Sequence, residues 1–294
     1  MMKLYIYILF LCALPWYSHA QKGNGDLQEK KWELKGMAGL NLSQTSMSNW
    51  AAGGENTLAG NAYMNGSLTR KGDRWLWVSN MALDYGLSKA ESQGVRKSSD
   101  KIELSTQLGY SVSSTWYCTA AVDFSTQFAK GYDYPDKSHH ISRFLAPAYS
   151  NIALGMEYRS KGNFSLLFSP LTGKMTIVRD SYLSSIGAFG VDAGKRFKME
   201  CGSSLTAKAE LKVMENVNMI TTTDFFTPYS SQFGNVDINW DVLVSMKINR
   251  YLSASVNLAL KYDNDVKTYD DEGNSRGARL QFKEIIGVGL AYNF

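Results

Sequence analysis

Cysteine, proline and histidine are scarce in this chain, with 3, 5 and 3 among 294 residues. Three cysteines cannot build the framework of a disulfide-stapled fold. Charged residues make up only 20% and the formal net charge is +4 at pH 7, too little to point to a nucleic-acid partner. Beyond the N-terminus no apolar run is long enough to cross a bilayer as a helix. What is plentiful is glycine (25), tyrosine (17), phenylalanine (13) and tryptophan (7), in a chain that is 44% hydrophobic. That composition excludes disorder, which requires high charge and few aromatics. The length is enough for one large domain or two small ones.

Residues 1–20 read as a secretory signal peptide. Lys3 supplies the positive start, Leu4 to Leu14 form an apolar core, Pro15 breaks it, and Ser18-His19-Ala20 is a small-x-small cleavage site. Cys12 sits too early for a lipidation signal and follows Leu11, where a small residue is needed. Residues 21–31 are polar and without period, a flexible periplasmic leader. The remaining cysteines, Cys118 and Cys201, fall on the outer face of strands that are not neighbours, so free thiols are expected.

From Trp32 to Phe294 the period is two. Trp32, Leu34, Gly36, Ala38, Leu40 and Leu42 alternate with Glu33, Lys35, Met37, Asn41 and Ser43. The same alternation returns in Leu58 to Leu68, Trp75 to Tyr85, Ile102 to Val112 and Trp116 to Phe128. It is weaker between 164 and 228, then clear again in Val236 to Ile248, Leu252 to Tyr262 and Leu280 to Phe294. Each such segment is a strand with one wet and one apolar face. Twelve strands are predicted, joined alternately by tight turns (71–73, 113–115, 159–163, 214–216, 249–250) and long loops (44–57, 88–100, 129–148, 179–196, 227–235, 263–277). An even strand number with short turns at one end and long loops at the other predicts an all-β, antiparallel, up-and-down transmembrane barrel over 32–294, with periplasmic turns and extracellular loops.

A secreted soluble β-sandwich shares the alternation, so charge placement has to separate the two. On the predicted lipid face most charges sit at strand ends (Arg70, Lys130, Arg250), with Lys174 and Glu284 as exceptions. The opposite face is rich in charge, and its lumen-lining candidates are Glu33, Lys35, Asp84, Glu103, Asp123, Lys208, Asp241, Lys247, Arg279 and Lys283. A Lys or Arg at mid-bilayer costs roughly 2–4 kcal/mol, which explains such avoidance. Aromatics gather at the turn end, in Trp32, Trp75, Trp77, Trp116, Tyr158, Phe164, Tyr292 and Phe294, as an interfacial girdle should. A last strand ending in Phe294 matches the signal by which the barrel-assembly machinery inserts outer-membrane barrels. The outer membrane of a Gram-negative bacterium is therefore the expected location, with its lipid as the first partner.

Ser48-Asn49-Trp50-Ala51-Ala52-Gly53-Gly54-Glu55-Asn56 resembles the N-W-x-x-G-G-x-N segment of a domain-of-unknown-function family of outer-membrane barrels in Bacteroidota. Arg74-Trp75-Leu76-Trp77, Ser169 to Lys174 and Gly187 to Val191 also resemble recurrent segments of that family. The resemblance implies a fold and a location, and no activity.

Chemistry is thin. His139 and His140 lie in the third long loop near Ser138, Ser142, Asp133 and Asp136, the minimum for a rim hydrolase or a metal pair, but a solvated loop has the same composition. Asp263, Asp265, Asp270, Asp271 and Glu272 make an acidic loop without the spacing of a calcium hand. No nucleotide, haem or flavin motif occurs, and no cofactor is expected. Asn49, Trp50, Gly53, Gly54 and Asn56 are either a plug folded into the barrel mouth or a surface turn. A polar lumen of nearly balanced charge serves equally an open narrow pore or one knitted shut. Three functions stay open: a narrow pore for small hydrophilic solutes, a plugged structural or assembly partner of other envelope proteins, and a barrel-borne lipid hydrolase.

Overall fold

The computed structural model describes residues 32–45, 56–92, 94–134, 136–160, 163–230, 234–249, 252–264, 267–269 and 275–294. The predicted signal peptide and leader lie outside them, as do Asn49, Trp50, Gly53 and Gly54 of the predicted plug. In chain order the strands are β1 (Trp32–Thr45), β2 (Thr57–Lys71), β3 (Trp75–Ala90), β4 (Gly94–Ser111), β5 (Trp116–Thr126), β6 (Gly131–Tyr132), β7 (His140–Ser142) and β8 (Ala148–Arg159). They continue with β9 (Phe164–Ile177), β10 (Phe197–Met214), β11 (Val217–Pro228), β12 (Asp237–Lys247), β13 (Leu252–Tyr262), β14 (Lys267–Tyr269), β15 (Ser275–Ala278) and β16 (Gln281–Asn293).

Twelve of these close into one antiparallel barrel, in the order β1-β16-β13-β12-β11-β10-β9-β8-β5-β4-β3-β2. The short pairs β6–β7 and β14–β15 are hairpins within the long loops. Closure leaves no edge strand other than where the two ends of the sheet meet. There β1 pairs with β16 over Met37–Asn41 against Gly289–Asn293, and Gly36 and Phe294 exchange backbone hydrogen bonds of 2.8 and 2.9 Å.

The alternating pattern becomes two faces. Leu34, Leu40, Leu42, Leu58, Leu108, Val122, Ile152, Leu154, Ile286 and Leu290 all point outward and are exposed. Cys118 and Cys201 are unbonded and exposed among them. At the turn end the aromatics touch: Trp32 lies 5.7 Å from Trp77, Trp75 4.9 Å from Tyr110, and Trp116 5.4 Å from Tyr158. The guanidinium of Arg70 sits 5.1 Å over the Trp32 ring. Tyr85 and Phe128 pair at the loop end, 6.2 Å apart.

Two expectations need correction. The first is Lys174, placed on the outer face by a straight count from Phe164. Pro170 cannot donate to the ladder, and β9 bulges beside it, with the register to β8 shifting between Leu154 and Met156. Gly155 accommodates the bulge, since a Cβ there would collide with the carbonyl of Phe168. The extra residue inverts the count, so Leu171 faces out and Lys174 faces in. The second is the predicted loop 88–100. β3 and β4 stay paired up to Ala90 and Gly94, and the connection is only 91–93. This extension is mostly polar (Ser88, Lys89, Arg96, Lys97, Ser98), with Val95 an isolated apolar side chain, so the apolar alternation ends before the strands do. Glu284 does lie on the exposed outer side of β16.

At the seam a Cβ on Gly289 would overlap the carbonyl oxygen of Leu40. Gly289→Val is therefore expected to strain closure, costing about 1–3 kcal/mol. The check is denaturant unfolding of the folded barrel, with the fraction migrating as a compact, heat-modifiable species falling in parallel.

Candidate functional site

The inward face of the barrel carries the concentrated polar chemistry. Glu33, Lys35, Asp84, Glu103, Asp123, Lys208, Asp241, Lys247 and Lys283 all occupy inward positions of their strands in the observed register. Arg279 does not: it lies in the connection between β15 and β16, beyond the barrel wall. Asn56 sits at the loop end, where its side-chain amide donates to Glu91 Oε1 at 3.2 Å.

Near the turn end the charges pair along one strand. Lys35 meets Glu33 at 2.8 Å and Lys208 meets Glu210 at 3.1 Å. Glu157 is fully buried, bonded by Arg159 at 2.8 Å and by the Thr119 hydroxyl at 2.9 Å. A second Arg159 hydrogen bond reaches Gln107 Oε1 at 3.0 Å.

Midway along the lumen the pairing changes direction. Lys101 on β4 bonds Glu103 at 2.8 Å and reaches Asp241 on β12 at 3.7 Å. In the barrel order β4 and β12 stand on opposite sides, so this ion pair crosses the lumen. Lys283 on β16 makes another transverse contact, donating to Ser99 Oγ on β4 at 3.4 Å. Asp123, Asp224 and Glu103, from β5, β11 and β4, lie within electrostatic reach of one another. Asn41 donates to Asn61 at 3.1 Å, and Asn61 to Asp84 at 2.9 Å, which ties β1, β2 and β3 together on the same face. Lys101 and Asp241 keep 38% and 42% of their side-chain surface open, so water reaches the bridge. Nearer the loops Lys174 bonds Asp237 at 2.6 Å and Asp263 at 2.9 Å.

Sequence reasoning left Lys174 out of the lumen and did not single out Lys101. Pro170 inside a strand pattern signals the bulge that moves the first. The second needs the circular strand order, which no local pattern contains.

Loop chemistry gathers at Asp180. This carboxylate caps helix α1 (Ser181–Ser185), accepting from the Leu183 backbone N–H at 3.0 Å. His140 Nε2 and Arg143 Nη1 both lie 3.0 Å from its Oδ2. Beneath the helix Ala146, Val178, Leu183 and Val191 form a small buried cluster with Ala188 and Phe189. The histidines do not make a hydrolase relay. Ser138 is 3.0 Å from His139 Nδ1, but its carboxylate partner Asp136 takes the serine hydroxyl at 2.8 Å instead of orienting the imidazole. His140 has the carboxylate and no serine among the described residues. Both rings pack on Tyr182, that of His139 stacked at 4.9 Å.

Burial of Asp180 works to raise its pKa. The hydrogen bonds from Leu183, His140 and Arg143 outweigh that and hold the carboxyl down at about 2, against 3.8 for a free aspartate. A carboxyl depressed in the folded state stabilises the loop above pH 3.8 and loses that contribution as pH falls through about 2. Asp180→Asn should open 178–196 to protease at neutral pH, whereas the parent loop should stay protected until pH drops below 3.8. Cleavage rates at the loop measured across that range check this.

The family model described as "Protein of unknown function (DUF3078)" matches residues 42–132, from β1 to β6. No curated protein matches. Among solved structures the chain is similar to the translocator domain of the autotransporter NalP from Neisseria meningitidis, with 8% identity, 92% of this chain and 90% of that one covered, and a TM-score of 0.38. It is also similar to the NanC porin, with 6% identity, coverage of 87% and 98%, and a TM-score of 0.38. For the TodX monoaromatic hydrocarbon channel (a deltaS2 mutant) the identity is 10%, the coverage 89% of each chain and the TM-score 0.31.

Proposed function

We propose that this protein spans the outer membrane of a Gram-negative bacterium as a narrow, water-filled pore for small hydrophilic solutes. The Bacteroidota are the group to which the motif resemblance points. The carrying observation is the Lys101–Asp241 pair, which bars the lumen from opposite walls while both side chains remain open to water. A bar of this kind sets a size limit and a local charge pattern without filling the cross-section. The exposed apolar outer face, the aromatic contacts at the turn end and strands of 11–18 residues support the membrane setting, where a closed barrel is the one sheet that satisfies its backbone. Export by the N-terminal signal and insertion through the strand ending in Phe294 complete the reading.

Leu154→Arg places a cation in the middle of the outer face and is expected to cost roughly 2–4 kcal/mol of stability in lipid. Reversible unfolding from vesicles measures it. An unchanged stability contradicts the membrane setting.

The pore itself is tested by conductance across planar bilayers. The parent should give small discrete steps. Lys101→Ala should enlarge them and shift selectivity toward cations, because Asp84, Glu103, Asp123, Asp224 and Asp241 then face fewer lysines. Silence from both correctly inserted proteins overturns the pore and leaves a plugged barrel that serves other envelope proteins.

A further inference from the structure

Arg70 is a charge on the lipid face without an acidic partner. It lies at the turn end of β2, where its register neighbours are Trp32 on β1 and Trp77 on β3. Its guanidinium sits over the Trp32 ring, and the two indoles are 5.7 Å apart. The Trp77 indole N–H donates to the hydroxyls of Ser79 at 3.0 Å and Thr106 at 2.9 Å, which fixes that ring. One face of the guanidinium is thus laid on an aromatic surface. Its N–H edges take no hydrogen bond and no ion pair among the described residues, and the side chain is exposed. Glu33, the nearest carboxylate on β1, faces the lumen and meets Lys35 at 2.8 Å. Asp73, in the tight turn, forms no ion pair with either arginine, and Arg74 donates to the Tyr110 hydroxyl at 3.0 Å. The turn therefore carries Arg70, Lys71 and Arg74 against Asp73 alone.

From Arg70 toward the middle of the membrane the outer face forms a shallow trough. Leu34 pairs with Leu68, and Gly36 with Gly66. The Phe294 ring covers Gly36, where a Cβ would overlap it, and stacks on Tyr292 at 6.2 Å. Over Gly66 the space is open, since a Cβ there would meet only Met81 Cε, at 4.0 Å. The floor at Gly66 and Leu68 runs between Phe294 and Leu34 on one side and Met81 and Trp77 on the other, and it ends at Arg70.

We propose that this strip holds one phospholipid of the periplasmic leaflet, with a net-negative head. The phosphate rests on the N–H edge of Arg70 between Trp32 and Trp77, and one acyl chain follows Leu68 and Gly66 into the bilayer. The planar fork of a guanidinium matches two phosphate oxygens at once. Indole rings sit at head-group level in a membrane, which puts Arg70 at the depth of the phosphate. The cations of the turn repel a head that carries its own ammonium group. The proposal rests on the membrane-spanning reading, and not on conduction.

The test uses the refolded barrel in nanodiscs of phosphatidylglycerol and phosphatidylcholine in equal parts with the same chains, with heat-modifiable migration confirming insertion first. Native mass spectrometry of the barrel released from the discs counts the lipids that stay bound. The parent should keep one phosphatidylglycerol in preference to phosphatidylcholine by about tenfold. Arg70→Gln should lower that retention about tenfold, as loss of a charge-assisted contact requires. Arg74→Gln removes the same charge from the same turn and should change it less than about twofold. Gly66→Leu fills the trough while Arg70 stays, and retention should fall again. Glycerol phosphate, a head without chains, should not displace the lipid. Equal retention of the two lipids, parent-like retention in Arg70→Gln or Gly66→Leu, an equal loss in Arg74→Gln, or displacement by glycerol phosphate overturns the site. Failure of the parent barrel to insert overturns the membrane reading instead.

Discussion

The backbone hydrogen bonds between Gly36 and Phe294, with the short ladder from Met37 to Asn41, turn a meander of strands into a tube. Without them the sheet has two raw edges, each a row of unpaired N–H and C=O groups, which in hydrocarbon costs several kcal/mol per group. With them, the residues of the twelve barrel strands are assigned to an inside or an outside. The same closure brings β4 opposite β12, and so creates contacts between residues far apart in the chain. The seam also has the shortest ladder of the barrel, with 5 register pairs.

The interior shows how a polar lumen can be both stiff and wet. Several carboxylates are matched to lysines, amides and hydroxyls, as in Glu33, Asp237 and Glu157, whereas Asp123, Asp224 and Glu103 face one another. Pairs within a strand, such as Lys208 with Glu210, leave the bore open, whereas the pair from Lys101 to Asp241 subdivides it. At the loop end Lys174 draws Asp237 and Asp263 together, and the capped helix at Asp180 covers a small apolar cluster.

Strand number, the tight turns, the long connections other than 88–100, the aromatic contacts at Trp32, Trp75 and Trp116, and the two faces were legible because period-two alternation is a local property. What escaped was whatever depends on one residue more or less, or on closure. Pro170 marked a bulge, but its effect on Lys174 appears only when the register to β8 is known. The β3–β4 extension carries no apolar alternation, since neither of its faces is dry, so pairing continued where the pattern had stopped. Arg279 kept the right parity for the lumen and fell outside the strand. His140 and Asp180 are 40 residues apart and meet only because their two loops share one end of the barrel.

Everything rests on the two faces of the wall meeting different solvents. Val122 and Asp123 are adjacent on β5 and point to opposite sides. Spin labels placed at each in turn, in the barrel reconstituted into lipid, report collision with oxygen, which concentrates in the bilayer, and with a water-soluble nickel complex. The label at 122 should be relaxed by oxygen and hardly by nickel, and the label at 123 the reverse. Equal nickel accessibility at both positions would contradict a lipid-facing exterior around a wet lumen.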